Sequence, residues 1–213
     1  MAEATDRLRL TQWLSPAFPI GAFAYSQGLE QAISAGDIRS AADLGAWISA
    51  VLRFGSGRAD AILLAHARAR DADLTALSDL ALAHAPSAER VTEMLEQGRA
   101  FAATISAITG QPQAPHPYAV AVGAATAQLD LPTSEVLCLW LQGLCAQLTS
   151  AATRFMPLGQ TEAQKTLASL APLITDLAAL YASLPLSALS STTPRADLAA
   201  MLHETMPVRI FRT

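Results

Sequence analysis

The chain has 213 residues, with 18 acidic against 14 basic and a net charge of −4. Hydrophobic residues make up 52% and charged residues 15%, which excludes a disordered chain and supplies enough apolar material for one domain with a core. There is no basic block, so the electrostatic footprint of a nucleic-acid binder is missing. Ala and Leu dominate and aromatics are only 6%, a composition that favours helices over a β-sandwich. A surface this poor in charge is expected to keep apolar area for a partner or a second subunit to cover.

The N-terminus, MAEATDRLRL, carries acids and no long apolar run, so it does not read as a signal peptide. Residues 7–14 read as a short helical lead-in with Leu10, Trp13 and Leu14 on one side. Residues 15–30, SPAFPIGAFAYSQGLE, break the Ala/Leu monotony and carry no charge before Glu30. Pro16 and Pro19 lack a backbone donor and push the preceding residue toward extended geometry. A stiff connector to Gly21 is therefore expected. From Ala22 a helix-compatible run puts Phe23 and Gln27 on one face, and Ala22, Ser26 and Leu29 on another. Residue types alone leave two readings open here: a core-forming turn with aromatic anchors, or a recognition surface.

Beyond Gly36, Ser40 caps a helix with Asp43 in the acidic capping position, and its face is Leu44, Trp47, Ile48, Val51 and Leu52. Gly55-Ser56-Gly57 breaks it. Residues 58–70 and 73–84 form further helices, the second ended by Pro86. Ser87 caps a helix with Val91, Met94, Leu95, Phe101 and Ile105 on its face, running to Thr109. GQPQAPHP at 110–117 is a stiff connection. Residues 118–129 are helical in composition. Residues 136–153 are uncharged and lie between Glu135 and Arg154; with Gln142, Gly143 and Gln147 inside, they read as a buried core helix rather than a membrane span. Pro157 and Gly159 interrupt it. Residues 161–183 read as one last long helix, bent at Pro172. Residues 184–194 are a Ser/Thr/Pro-rich loop and 195–213 a tail. Its Arg209-Ile210-Phe211-Arg212 run reads either as a frayed end or as a segment that docks on a partner.

Chemistry-bearing patterns are sparse. Cys138 and Cys145 on one helix would sit about 10 Å apart, too far for a disulfide. Reduced thiols in a reducing, cytoplasmic compartment are expected. His66, His84, His116 and His203 show no i, i+4 pairing and none neighbours a cysteine, so no zinc or nickel site is expected within the chain. There is no P-loop, dinucleotide fingerprint or nucleophile elbow. No catalytic residue, metal ligand or cofactor is assigned, and the chain is not read as an enzyme.

Four stretches resemble the urease accessory protein UreF family. Residues 15–30 are similar to the family signature SPALPVGAFSYSQGLE. Pro157-Leu158-Gly159-Gln160 stands intact in the family's Lys-x-x-Pro-Leu-Gly-Gln corner, with Arg154 where Lys is usual. The tail resembles the family's His-Glu-Thr followed by Arg-Leu-Phe-Arg-Ser, and Gly98-Arg99-Ala100 matches a further segment. The resemblance implies an all-α, single-domain bundle of about eight to ten helices with a flexible C-terminal tail. It divides the chain into a helical domain, 1–194, and a partner-binding tail, 195–213. It implies a non-catalytic scaffold and GTPase regulator in the UreD-UreF-UreG complex that inserts nickel into apo-urease. The implied partners are UreD (UreH in some organisms), the GTPase UreG, apo-urease through that complex, and a second copy in a homodimer, with no nucleic acid or membrane. Matched positions expected to bind partners are Tyr25, Glu30, Arg154, Gln160, His203, Glu204, Arg209, Phe211 and Arg212. The competing readings are a regulatory helical domain, which would need a basic recognition helix, and an enzyme acting alone.

Overall fold

The computed structural model describes residues 2–213, so Met1 of the leader reading lies outside the described residues. These form eleven α-helices and two short 3-10 turns, with no strand among the described residues. Helix α1 (Ala2–Trp13) inserts Leu10 and Trp13 into the core. After the signature come α2 (Leu29–Ser34) and α3 (Ala41–Phe54). Helix α3 begins as expected: Ser40 Oγ accepts from the Asp43 amide at 3.2 Å, and the Asp43 carboxylate takes the Arg39 amide at 3.0 Å. That amide bond, then the Ser40 hydroxyl, holds the Asp43 carboxyl below its ordinary value.

Gly55 alone separates α3 from α4 (Ser56–Ala67), and Ser56 and Gly57 are already helical. Helix α4 is buried on nearly every side, through Ala59, Ala61, Ile62, Leu63 and Leu64, which marks it as central rather than amphipathic. It packs on α7 (Tyr118–Thr126) and on α5 (Leu74–Ala83), which Asp73 caps. Helix α6 (Ala88–Thr109) is capped by Ser87 and ends at Gly110 in left-handed geometry. Its face buries Met94, Phe101 and Ile105, but Leu95 is 38% exposed. At Gly98 the 116–118 backbone crosses so closely that a β-carbon would lie 1.8 Å from the His116 carbonyl oxygen.

Helix α8 (Thr133–Phe155) is the core helix, burying Val136, Leu137, Trp140, Leu141, Cys145 and Leu148. It is long and apolar enough to cross a membrane by length and composition, yet half of its apolar window is buried inside the fold. Helices α9 (Gln160–Ser169), α10 (Ala171–Tyr181) and α11 (Pro194–His203) complete the bundle. One large apolar core runs from Leu10 and Trp13 through Ile48, Phe101 and Leu137 to Tyr181, with a smaller cluster of Leu63, Leu77, Met94 and Val120 beneath α5.

Three expectations need correction. The signature does not continue as a helix from Ala22: a 3-10 turn spans Ala22–Ala24, and Tyr25 is extended. Gln27 (φ 55°) and Gly28 (φ 79°) are left-handed before α2 begins. Phe23 and Gln27 therefore share no helix face. The cause is tertiary: the Ser26 amide donates to Thr213 O at 2.9 Å instead of to a helical carbonyl, and a β-carbon at Gly28 would lie 2.5 Å from the Ala200 amide of α11. Residues 161–183 are two helices meeting at Leu170, not one bent helix. Pro172 sits in the first turn of α10, where its missing donor leaves no bond unmade. Residues 195–213, expected as a flexible tail, contribute most of α11 and then fold back on the chain, burying Phe211 and Thr213.

Candidate functional site

The site grows from the meeting of the signature, the N-terminal half of α6 and the last residues of the chain. Residues 24–27 present backbone groups that no helix uses. The tail takes them: the Arg212 amide donates to Ala24 O at 2.8 Å, and the Gln27 amide donates to Thr213 Oγ1 at 3.2 Å. The Ser26 hydroxyl also donates to Thr213 O. The two segments are thereby joined as a short, irregular pair, satisfying backbone groups that burial would otherwise leave unmade.

Glu30 is the buried centre of this pairing, at 1% exposure. Its carboxylate accepts from the Ile210 amide at 2.7 Å and from the Phe211 amide at 2.9 Å. Its third contact is His203 Nε2 at 3.1 Å, and His203 Nδ1 lies 2.7 Å from Glu89. Arg209 pairs with the other oxygen of Glu89. Nearer the surface, the Tyr25 hydroxyl donates to Glu96 at 2.5 Å, and Arg212 pairs with Glu96 at 2.7 Å while lying over the Tyr25 ring. Burial first, then the Glu96 bond, pushes the Tyr25 hydroxyl well up. The Tyr25 bond, then Arg212, holds the Glu96 carboxyl below its ordinary value. Phe211 is capped by the Arg154 guanidinium, 4.4 Å from the ring centroid, and the same guanidinium donates to Phe23 O.

Eight of the nine positions expected from the sequence therefore meet in one place. Glu204 joins by capping α6, accepting the Ala88 amide at 2.7 Å. Gln160, exposed at the start of α9, is not among the residues bonded to the tail. Sequence reading missed Ser26, Glu89 and Glu96. A signal existed for the acids: Glu89, Glu93 and Glu96 recur at helical spacing on one face of α6, a stripe suited to an Arg-bearing segment.

Behind the signature lies a cavity of about 320 Å³, lined by Leu14, Phe18, Ile20, Trp140 and Leu144, with Asp60 and Arg90 on its wall. Arg90 bridges Asp60 at 2.6 Å and Glu93 at 2.7 Å, all three buried. Burial pushes the Asp60 carboxyl up. It also works against the Arg90 charge, but Glu93 and Asp60 outweigh it and the guanidinium ends above its ordinary value. Gln27, left-handed in the signature, ties this group to the tail through its amide bond to Glu93 at 3.1 Å. Among the described residues, no group of three or more His, Cys, Asp or Glu side chains is arranged to hold a metal ion. The arrangement is one of positioning: charged and aromatic groups fix the chain's last residues against the signature.

Helix α11 and the tail also expose apolar side chains. Leu198, Met201 and Leu202 lie at i, i+3 and i+4 on α11 and are 45–54% exposed; Val208 and Ile210 of the tail are 79% and 62% exposed.

Comparison with known proteins identifies the family. The UreF family model matches residues 38–171. A urease accessory protein UreF from Cereibacter sphaeroides is 61% identical over 206 residues, 97% of this chain and 98% of that one. Those from Dinoroseobacter shibae and Paracoccus denitrificans are 51% and 50% identical over 207 residues, 97% of this chain and 98% and 96% of theirs. A matched model over more than half of the chain, together with near full-length identity at this level, means that the chain belongs to the UreF family.

Proposed function

We propose that this chain is a non-catalytic scaffold of urease maturation, bridging UreD (UreH) and the GTPase UreG in the complex that delivers nickel to apo-urease. The observation that carries the reading is the tail. Residues 203–213 are held on the signature by a dense set of bonds, yet Leu198, Met201, Leu202, Val208 and Ile210 face outward beside Arg209. An apolar stripe with a charged rim is what a partner helix or sheet face can cover. In this reading UreD covers the stripe formed by α11 and the tail. Two copies of the chain pair as a homodimer, and UreG is recruited to the assembled complex. GTP hydrolysis is then controlled by differential affinity for the nucleotide states of UreG, which needs no catalytic group here.

The test is co-purification. The chain is expected to capture UreD, and with it UreG. A variant lacking residues 209–213 is expected to lose UreD while keeping its helical circular dichroism. Undiminished capture by that variant would refute the role given to the tail, and measurable GTP turnover without UreG would refute the non-catalytic role.

A further inference from the structure

The cavity behind the signature, about 320 Å³, is about twice the size of an engineered apolar cavity of roughly 150 Å³ that admits benzene. Part of its wall is apolar, through Phe18, Ile20, Trp140 and Leu144, but Asp60, Gln97 and Tyr118 line it too. Each of these three brings an unused oxygen. Among the described residues, no hydrogen-bond partner takes Asp60 Oδ1, Gln97 Oε1 or the Tyr118 hydroxyl. Trp140 Nε1 is also unpartnered, but it is fully enclosed, whereas the three oxygens are not.

The fold sets these oxygens near one another. Gln97 Nε2 donates to Glu93 at 3.2 Å, Glu93 pairs with Arg90, and Arg90 pairs with Asp60. At Gly98, next to Gln97, a β-carbon would lie 3.0 Å from the Tyr118 amide, so the two segments cross side by side. The Tyr118 ring is held between Phe101 and Trp140, with centroids 5.6 Å and 4.8 Å away. The same oxygens select the sign of a ligand. Arg90 Nη1 and Nη2 are already taken by Glu93 and Asp60. An anion would be a third acid beside one guanidinium, facing acceptors. A cation with several N–H donors satisfies the open oxygens together, and the aromatic rings of Tyr118 and Trp140 favour it further.

We propose that this cavity binds a small organic cation: an amidinium, guanidinium or ammonium head at Asp60, Gln97 and Tyr118, on an apolar body packed against Phe18, Ile20, Trp140 and Leu144. The chain alone completes the site, so its test is separate from capture of UreD.

The probe is benzamidine, added to the intact chain labelled with 5-fluorotryptophan. Fluorine NMR follows the Trp140 signal, with Trp13 and Trp47 as internal references. A ligand of this size is expected to saturate with Kd on the order of 1 mM or tighter. Benzyl alcohol and benzoate carry the same ring with a neutral and an anionic head, and are expected to bind at least about tenfold more weakly. Tyr118→Phe removes a hydroxyl that no other residue uses, so the fold is kept and benzamidine is expected to weaken about tenfold. Gly143 lines the cavity, and a β-carbon there meets only Leu14 O, at an ordinary 3.8 Å. Gly143→Leu therefore takes up cavity space without strain and is expected to weaken binding at least about tenfold. Asp60→Asn keeps the shape and is expected to erase the preference for benzamidine over benzyl alcohol. No saturable Trp140 shift up to about 10 mM benzamidine overturns the proposal. So does equal binding of benzyl alcohol or benzoate, or benzamidine affinity unchanged in Tyr118→Phe or in Gly143→Leu. A folded Asp60→Asn that keeps the full preference overturns it as well; should that variant fail to fold, the three-ligand comparison and the other two variants decide.

Discussion

Truncating Phe211 to Ala is the sharpest test of how the tail is held. The ring is 4% exposed and lies against the Arg154 guanidinium. Removing a buried Phe side chain costs about 3–5 kcal/mol in a core. A segment that can relax at a chain end should lie at the low end, about 3 kcal/mol. At about 1.4 kcal/mol per tenfold, the free tail population then rises roughly 100-fold. The ion pairs offer a contrast. Arg212 and Glu96 are 58% and 37% exposed at their side chains, so their pairing is worth about 0–1 kcal/mol, at most about fivefold in population. The assay is limited trypsinolysis, followed at Arg209, under conditions where opening and closing outpace cleavage, so that the rate reports the open population. Phe211→Ala is expected to raise the rate about 100-fold and Arg212→Gln about fivefold or less, with circular dichroism unchanged in both. The reverse ranking, or a Phe211→Ala rate within about threefold of the native sequence, would show that charge rather than apolar burial holds the tail.

Further outcomes follow from the same geometry. Gly98→Ala is expected to lower the urea midpoint by at least about 1–3 kcal/mol equivalent, because the added methyl meets the fixed His116 carbonyl rather than a mobile side-chain end; an unchanged midpoint would contradict that close crossing. Glu96 is depressed by Tyr25 and Arg212. Its contribution is therefore complete above the ordinary carboxylate range and is lost as pH falls through its lowered value. With 4-fluorophenylalanine at position 211, fluorine NMR should accordingly show the free tail rising on acidification by up to about fivefold more in the native sequence than in Glu96→Gln, and equal rises would refute the contribution. Burial pushes the Cys145 thiol up to about 12. Iodoacetamide at pH 8 should leave Cys145 unmodified in the folded chain and alkylate it readily in urea, as read by peptide mass spectrometry.

The fold class and the limits of α3, α5, α6 and α8 could be read from the sequence because they depend on local chemistry. Ser40 and Ser87 cap where their side chains reach free amides, and apolar spacing located α3, α6 and α8. The signature and corner were visible as wording, and eight of the nine positions expected to bind partners lie together in the fold, where they bind one another. Local rules failed where a distant segment competed for the backbone. Residues 22–28 have helix-compatible side chains, but tail residues 212–213 and α11 claim their amides and their space. Leu95 follows the helical pattern and is nevertheless exposed, because periodicity identifies a face but not what covers it.

By itself, the sequence determined that this chain is an all-helical member of one family, since capping, periodicity and a sixteen-residue signature need only neighbouring residues to act. Only the tertiary structure decided that His203, Glu30, Glu89 and the tail amides form one buried unit. Those groups are separated by up to 181 positions, and whether a histidine or glutamate so placed is solvated or enclosed depends on packing that no local pattern encodes.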